Sequence, residues 1–487
     1  MPSKSHCRET MASSERTFDE LFKTAIDETR RVQNMPPDEY TAWRRNFTLL
    51  PPSISLGDGS HIDTTMEALN AIGEIGLLWL KNTPSAHAVI SAEELRALSI
   101  SIFGQVIGGK YKDRFEADPK FKRVFKSILS ERITALSTTT MHYFPCHIFE
   151  YAGVPPFAIG PVRFLPRLEW LDVVEATAQS EVGWIPQLRA YWKGEAARPT
   201  APTTEVLGLE PDERQVGVYH QWRAKSICDE VGRCAWIAVV EIPGRLAKLS
   251  RTCAEVAVRV AVDAFGLALR HRDALDLRGP GDFKDPNLSH QLLQTQGRDL
   301  LESSMLDMPG LKGDLRRHQS LLADTVELRC EAGKAIQAFV DHNAPGAVPG
   351  LKKRWVEAMY WFGEARREAA GFISLVKTGI SLDVLTQGKK AGGILALCSA
   401  LFGLKDSDRV LSNGKTLFEV VSAIYDEGRS QLSHGGRLGL LEEIPISKEI
   451  ALEFTAVVMR KYLECLVKYA GPDDIDDFIA EIPNLRV

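Results

Sequence analysis

Apolar positions along this chain follow three textures, with changes near residues 144 and 343. From about residue 16 to 140 they recur every three or four residues, most clearly in 66–81 and 92–106, and that period predicts amphipathic helices. From Phe144 to Leu168 the pattern breaks into short apolar pieces set among Pro, Gly and aromatic residues, which predicts extended segments and turns. The β-branched run bounded by Gly232 and Pro243 predicts a strand. Residues 245–270 return to helix spacing, and Gly279-Pro280-Gly281 makes a loop. The stretches 289–308 and 320–330 read as further strands, and the polar stretch 194–202 as an exposed loop.

Two Pro-Gly elements between Asn343 and Gly350 stop any helix there. After them every segment has helix spacing: 354–370, 372–387, 394–404, 416–434 and 447–469. The fold class expected is mainly α with an α+β middle region. Its parts are a helical region 1–144, a mixed region 145–342 of unknown fold suited to sensing or regulation, a linker 343–350, and a helical domain 351–487. That domain ends in an acidic tail carrying Asp473, Asp474, Asp476, Asp477 and Glu481.

Composition narrows the classes. At 487 residues the chain is too long for one small core, and two or three domains are expected. A 44% hydrophobic, 25% charged chain is an ordinary globular protein. A net charge of −5 excludes coating nucleic acid through bulk basicity, so any RNA contact is a local patch. Residues 351–440 hold 13 Lys/Arg against 9 Asp/Glu, a balance of +4 that suits such a patch. The eight cysteines are scattered without a CxxC pair, which reads as reduced, buried thiols.

The N-terminus has no apolar signal core, and no window reaches the roughly 18 apolar residues of a membrane span. Residues 68–80 and 253–269 come nearest, and charged residues interrupt both. A soluble, cytoplasmic protein without membrane contact is expected. His142, Cys146 and His147 lack a fourth ligand and read as core residues, so no metal and no cofactor is expected. His271-Arg272-Asp273 lacks the downstream Asn of a kinase loop, and Gly414-Lys415-Thr416 lacks the spacing of a phosphate loop.

Chemistry concentrates at the end of the 416–434 segment. Thr416 with Glu419 makes a capping box, and Leu417, Val420, Val421, Ile424, Tyr425 and Leu432 make the inward stripe. Arg429 and Ser433 share a face, and His434 follows Arg429 by five residues just before Gly435-Gly436. On a regular helix that offset separates the two side chains by about 140°, and a glycine cap after His434 relaxes it. An arginine fork suits a phosphate, and an imidazole moves protons near neutral pH. The same residues also read as a surface ion pair, for example with Asp426, and a helix cap.

Residues 350–470 resemble the HEPN superfamily of helical ribonucleases, in particular its Apea-like branch. The likeness rests on Tyr425, Arg429, Ser430, His434 and Gly435 in a Tyr…Arg-Ser-x-x-x-His-Gly pattern. It rests also on Ser381-Leu382-Asp383-Val384-Leu385 in the place of a Leu-Glu-x-Leu-like element, and on 392–404 as a short third helix. The resemblance implies a five-helix bundle and a metal-independent endoribonuclease with Arg429 and His434 as catalytic pair. Ser430, Ser433, Asp383 and Tyr425 would support the pair. It further implies a homodimer whose composite cleft binds RNA, tRNA included, and leaves 2′,3′-cyclic phosphate and 5′-hydroxyl ends. Such a protein would act as a regulated, toxin-like effector of antiphage defence, released by a phage-derived or host trigger. A HEPN fold serving only as dimerisation or RNA-binding adaptor is the alternative. Ser430 stands where many HEPN ribonucleases have Asn, Asp or His, although Ser is common in the Apea-like branch, and Asp383 is one methylene shorter than the usual Glu.

Overall fold

Reciprocal caps begin the first helix: the Thr17 hydroxyl accepts from the Glu20 amide at 3.3 Å, and Glu20 accepts from the Thr17 amide at 2.7 Å. The computed structural model describes residues 16–108, 119–150, 153–177, 182–201, 211–282, 287–293, 301–307, 309–343, 346–430 and 446–486. Two units divide the chain, residues 1–140 with 243–251 and residues 141–242 with 252–487. The described residues are mainly helical, with a small sheet.

In the first unit the helices are α1 (Phe18–Gln33), α2 (Pro37–Arg44), α3 (Met66–Lys81), α4 (Ala92–Gly108) and α5 (Pro119–Leu136). Phe22, Ile72, Ile75, Phe103 and Phe125 interlock at its centre. A short hairpin of β1 (Ser53–Ser55) and β2 (His61–Asp63) lies outside the helical expectation. Leu246 joins this core, and the Glu94 carboxylate accepts from the Lys248 amide at 2.7 Å, which assigns 243–251 to the unit.

In the second unit a four-stranded sheet has the order β3 (Thr140–Cys146), β6 (Trp236–Ile242), β5 (Val162–Pro166), β4 (Phe157–Ile159). The β4–β5 and β5–β6 pairs are antiparallel. Strand β6 is buried on both faces, and its alternation feeds two cores. Ile237 and Val239 pack with Trp170 of α6 (Arg167–Thr177), Leu188 of α7 (Ile185–Trp192) and Ala224 of α8 (Pro211–Val231). Trp236, Ala238, Val240 and Ile242 belong to the larger core, which α9 (Ala247–Gly266) crosses with Ala254, Ala257, Val258, Ala261 and Phe265 all buried.

The chain continues through α10 (His271–Ala274), an antiparallel hairpin of β7 (Asn287–Leu293) and β8 (Leu301–Asp307), α11 (Leu315–Asp324) and α12 (Val326–Val340). Then come α13 (Pro349–Arg367), α14 (Gly371–Leu385), α15 (Lys390–Phe402), α16 (Leu417–Ser422) with a π-helical continuation Ala423–Ser430, α17 (Lys448–Lys468) and α18 (Ile475–Leu485).

Three expectations change. Residues 145–342 and 351–487 are not separate domains, because Phe265, Ile336, Trp355 and Tyr462 share one core. The 343–350 segment is a connection within that unit; residues 344–345 lie outside the described set. Residues 320–330 are helical, not extended: Asp314 caps α11 through the Arg317 amide, and Thr325 joins α11 to α12. The acidic tail is α18, with Phe478 and Ile482 buried; Asp473 accepts from the Gly350 and Leu351 amides at 2.7 and 2.9 Å, capping α13.

Among the described residues no helix is long and apolar enough to cross a membrane, and no acid, His or Cys cluster is built for a metal. Six of the seven described cysteines are buried, and Cys330 is exposed.

Trp355 ties α13 to α17: its indole donates to the Met459 carbonyl at 3.1 Å, and its ring is fully buried. Trp355→Ala is expected to cost about 3–5 kcal/mol in urea unfolding, with fluorescence and circular dichroism following the same shift.

Candidate active site

Three segments bring the candidate residues together. The Thr416–Glu419 capping box starts α16 as expected, and Leu417, Val420, Val421, Ile424 and Tyr425 are buried. At Ala423 the winding changes from α to π and stays so to Ser430. This departs from the uninterrupted helix expected to residue 434. A π turn bonds residue i to i+5, so the offset argued from 3.6 residues per turn does not hold where Arg429 sits.

Glycines let this turn approach α14. A Cβ on Gly379 would stand 2.8 Å from Arg429 Cβ and 3.2 Å from the Ile424 carbonyl. A Cβ on Gly428 would stand 2.7 Å from Leu375 Cγ. In the sequence only Gly379, a lone glycine inside an apolar helix, signals such an approach.

At that contact Arg429 Nη2 forms an ion pair with Asp383 Oδ2 at 3.2 Å, and Nη1 donates to the Tyr425 hydroxyl. The guanidinium also stacks over the Tyr425 ring at 5.0 Å. Asp383 is fixed in turn, its Oδ1 accepting from the Lys390 amide at 3.0 Å. Lys390 opens α15 with φ +58°, and Gln387 stands at φ +60°, conformations that L side chains rarely adopt. The Asp383 bond helps hold that turn.

Burial first, and the Asp383 charge second, raise the Tyr425 hydroxyl above its ordinary range, so it stays neutral and available as a partner. The Asp383 side chain is only 10% exposed, whereas a third of the Arg429 side chain reaches solvent. Asp426 is occupied elsewhere, accepting from the Ser422 hydroxyl at 3.1 Å. Ser430 is half-buried at the last described position of the turn. Ser433 and His434 lie outside the described residues.

Thus Asp383, Tyr425 and Arg429 meet although 46 residues separate the first from the last (429 − 383). The arrangement orients a guanidinium by two partners while leaving part of it open to a phosphate. Compared with protein-family models, with curated proteins and with solved structures, the chain finds no match.

Gly379→Ala must push Arg429 or α14 aside, and an unfolding cost of about 1–3 kcal/mol is expected. Asp383→Asn removes a partly exposed ion pair and should cost about 1 kcal/mol or less by the same denaturation measurement. A larger loss for Asp383→Asn than for Gly379→Ala would contradict this ordering.

Proposed function

We propose that residues 351–487 carry a metal-independent endoribonuclease of HEPN type, similar to the Apea-like branch over about 350–470, with Arg429 and His434 as its catalytic pair. The observation that carries this reading is the partly exposed Arg429 guanidinium, oriented by Asp383 and Tyr425 on a π turn immediately before Ser433 and His434. π turns concentrate at functional sites. The part of His434 rests on its place in the sequence.

In this mechanism Arg429 holds a nonbridging oxygen of the scissile phosphate and stabilises charge as it develops. His434 takes the proton of the 2′-hydroxyl, whose oxygen attacks phosphorus. The bond from phosphorus to the 5′-oxygen breaks, and His434 of the partner subunit, or water, protonates the leaving oxygen. The products are a 2′,3′-cyclic phosphate and a 5′-hydroxyl end. A homodimer through the helical part completes the cleft, and RNA, with tRNA as one substrate class, lies across it. We place the protein among toxin-like effectors of antiphage defence, with residues 1–342 restraining the nuclease until a phage-derived or host trigger arrives.

The Asp383–Arg429 pair also favours a second reading, a HEPN-type adaptor that dimerises or binds RNA without cutting it. A cation already paired with a carboxylate attracts phosphate less strongly than a lone one.

Cleavage of labelled RNA in EDTA buffer separates the two. Arg429→Ala and His434→Ala are each expected to slow cutting by about 10²–10⁴-fold, the usual worth of such a group. A 2′-deoxy sugar at the cut position is expected to block cleavage. Undiminished cutting by both variants overturns Arg429 and His434 as the catalytic pair, and no cutting by the wild type at any protein concentration leaves the adaptor reading in place.

A further inference from the structure

Arg366, next to last in α13, is 3% exposed, and its Nη1 is buried without a hydrogen-bond acceptor. The Asp263 carboxylate faces it at 3.9 Å but is already bonded by Arg367 Nη1 at 2.9 and 3.2 Å and by Nη2 at 3.2 Å. Burial pulls the Arg366 pKa down to about 10, which still leaves the group charged at neutral pH. The Asp263 charge partly offsets that burial, while the hydrogen-bonding capacity of Nη1 is unmet. A buried donor left in that state costs free energy, and an acceptor brought by a ligand would recover it.

The guanidinium lies against Gly266, the last residue of α9, where a Cβ would stand 2.2 Å from Nη1. Gly266 and Arg366 line a cavity of about 590 Å³ between the end of α9, α13 and α17, a size typical of small-molecule sites. Arg270, Arg460 and Lys461 also line it, with Glu453 and Glu464. Four cations against two carboxylates leave +2. Lys461 is paired with Glu464 at 2.6 Å, and Arg460 donates to the Leu267 carbonyl, so Arg366 and the exposed Arg270 are the cations best placed for a ligand. The remaining wall is apolar, with Leu269, Phe362, Leu452 and Val457, the last 52% exposed.

We propose that this cavity binds a small organic anion, its carboxylate or phosphate head on Arg366 with Arg270 beside it, and its apolar body against Phe362, Leu452 and Val457. The proposal does not depend on the ribonuclease reading.

Calorimetric titration of the full chain with phenyl phosphate and, separately, phenylacetate tests it and distinguishes the two head groups. At least one is expected to bind once per chain, with inorganic phosphate and benzyl alcohol each at least about tenfold weaker. Arg366→Met should weaken the bound probe by about tenfold or more, the worth of a charge-assisted hydrogen bond. Arg270→Gln, at an exposed position, should weaken it by about threefold, and this variant carries the test if Arg366→Met does not fold by circular dichroism. Absence of binding by both aryl anions overturns the proposal. So does inorganic phosphate binding as tightly as phenyl phosphate, or an affinity that folded Arg366→Met and Arg270→Gln leave unchanged.

Discussion

The second unit is organised around one buried carboxylate. Asp263 is 2% exposed in the last turn of α9, where the neighbouring residues Ala261, Val262, Ala264 and Phe265 are all core. A lone carboxylate there would be severely destabilising, so the fold must bring cations to it. Arg367 bonds both of its oxygens, and Gly363, one turn earlier on α13, must lack a side chain because a Cβ would stand 1.8 Å from Asp263 Oδ2. Arg367 reaches on to Asp282 at 3.2 Å, and Arg259 joins Glu364 at 2.7 Å. Burial raises the Asp282 carboxyl, with the Arg367 charge opposing that rise. Such a network contributes less to net stability than to fixing which face of α13 meets which face of α9.

That constraint explains why the chain misleads a reader looking for domain boundaries. The Pro-Gly run at 343–350 does end one helix and precede another, yet α12 and α13 pack into the same core. Local chemistry was legible where a few neighbouring residues decide it: the Thr416–Glu419 cap, the Gly232–Pro243 strand and most helix positions. Long-range partners were not. Asp473 looks like part of an acidic tail until its carboxylate is seen capping a helix more than a hundred residues earlier (473 − 350 = 123). Residues 320–330 carry Thr325 and Val326, whose β-branched side chains suggest a strand, but these two positions form a junction between helices, where propensity yields to packing.

The candidate site divides in the same way. Arg429 stood out from its neighbours in sequence, and Asp383 entered only through a family likeness. The 3.2 Å ion pair between them depends on Gly379 and Gly428, whose missing side chains permit the contact. The interior network left a trace as well: Asp263, one of two acids in the apolar run 253–269, and the adjacent Arg366-Arg367 pair belong to each other. Read separately, the acid only argued against a membrane span.

Arg429 and Arg366 show two opposite ways of presenting a guanidinium. Arg429 is bonded first and exposed second: Asp383 and Tyr425 fix its plane, and a third of it meets water. An anion arriving there displaces solvent, competes with a carboxylate and gains mainly from preorganisation, which suits a charge that appears only in a transition state. Arg366 is buried first and under-bonded second, with its facing carboxylate taken by Arg367. An anion arriving there meets little competing water and satisfies a donor that has already lost its hydration, which suits tight binding of a ground state. The two arginines therefore differ in what an anion would have to overcome: a bonded carboxylate and water at Arg429, only burial at Arg366.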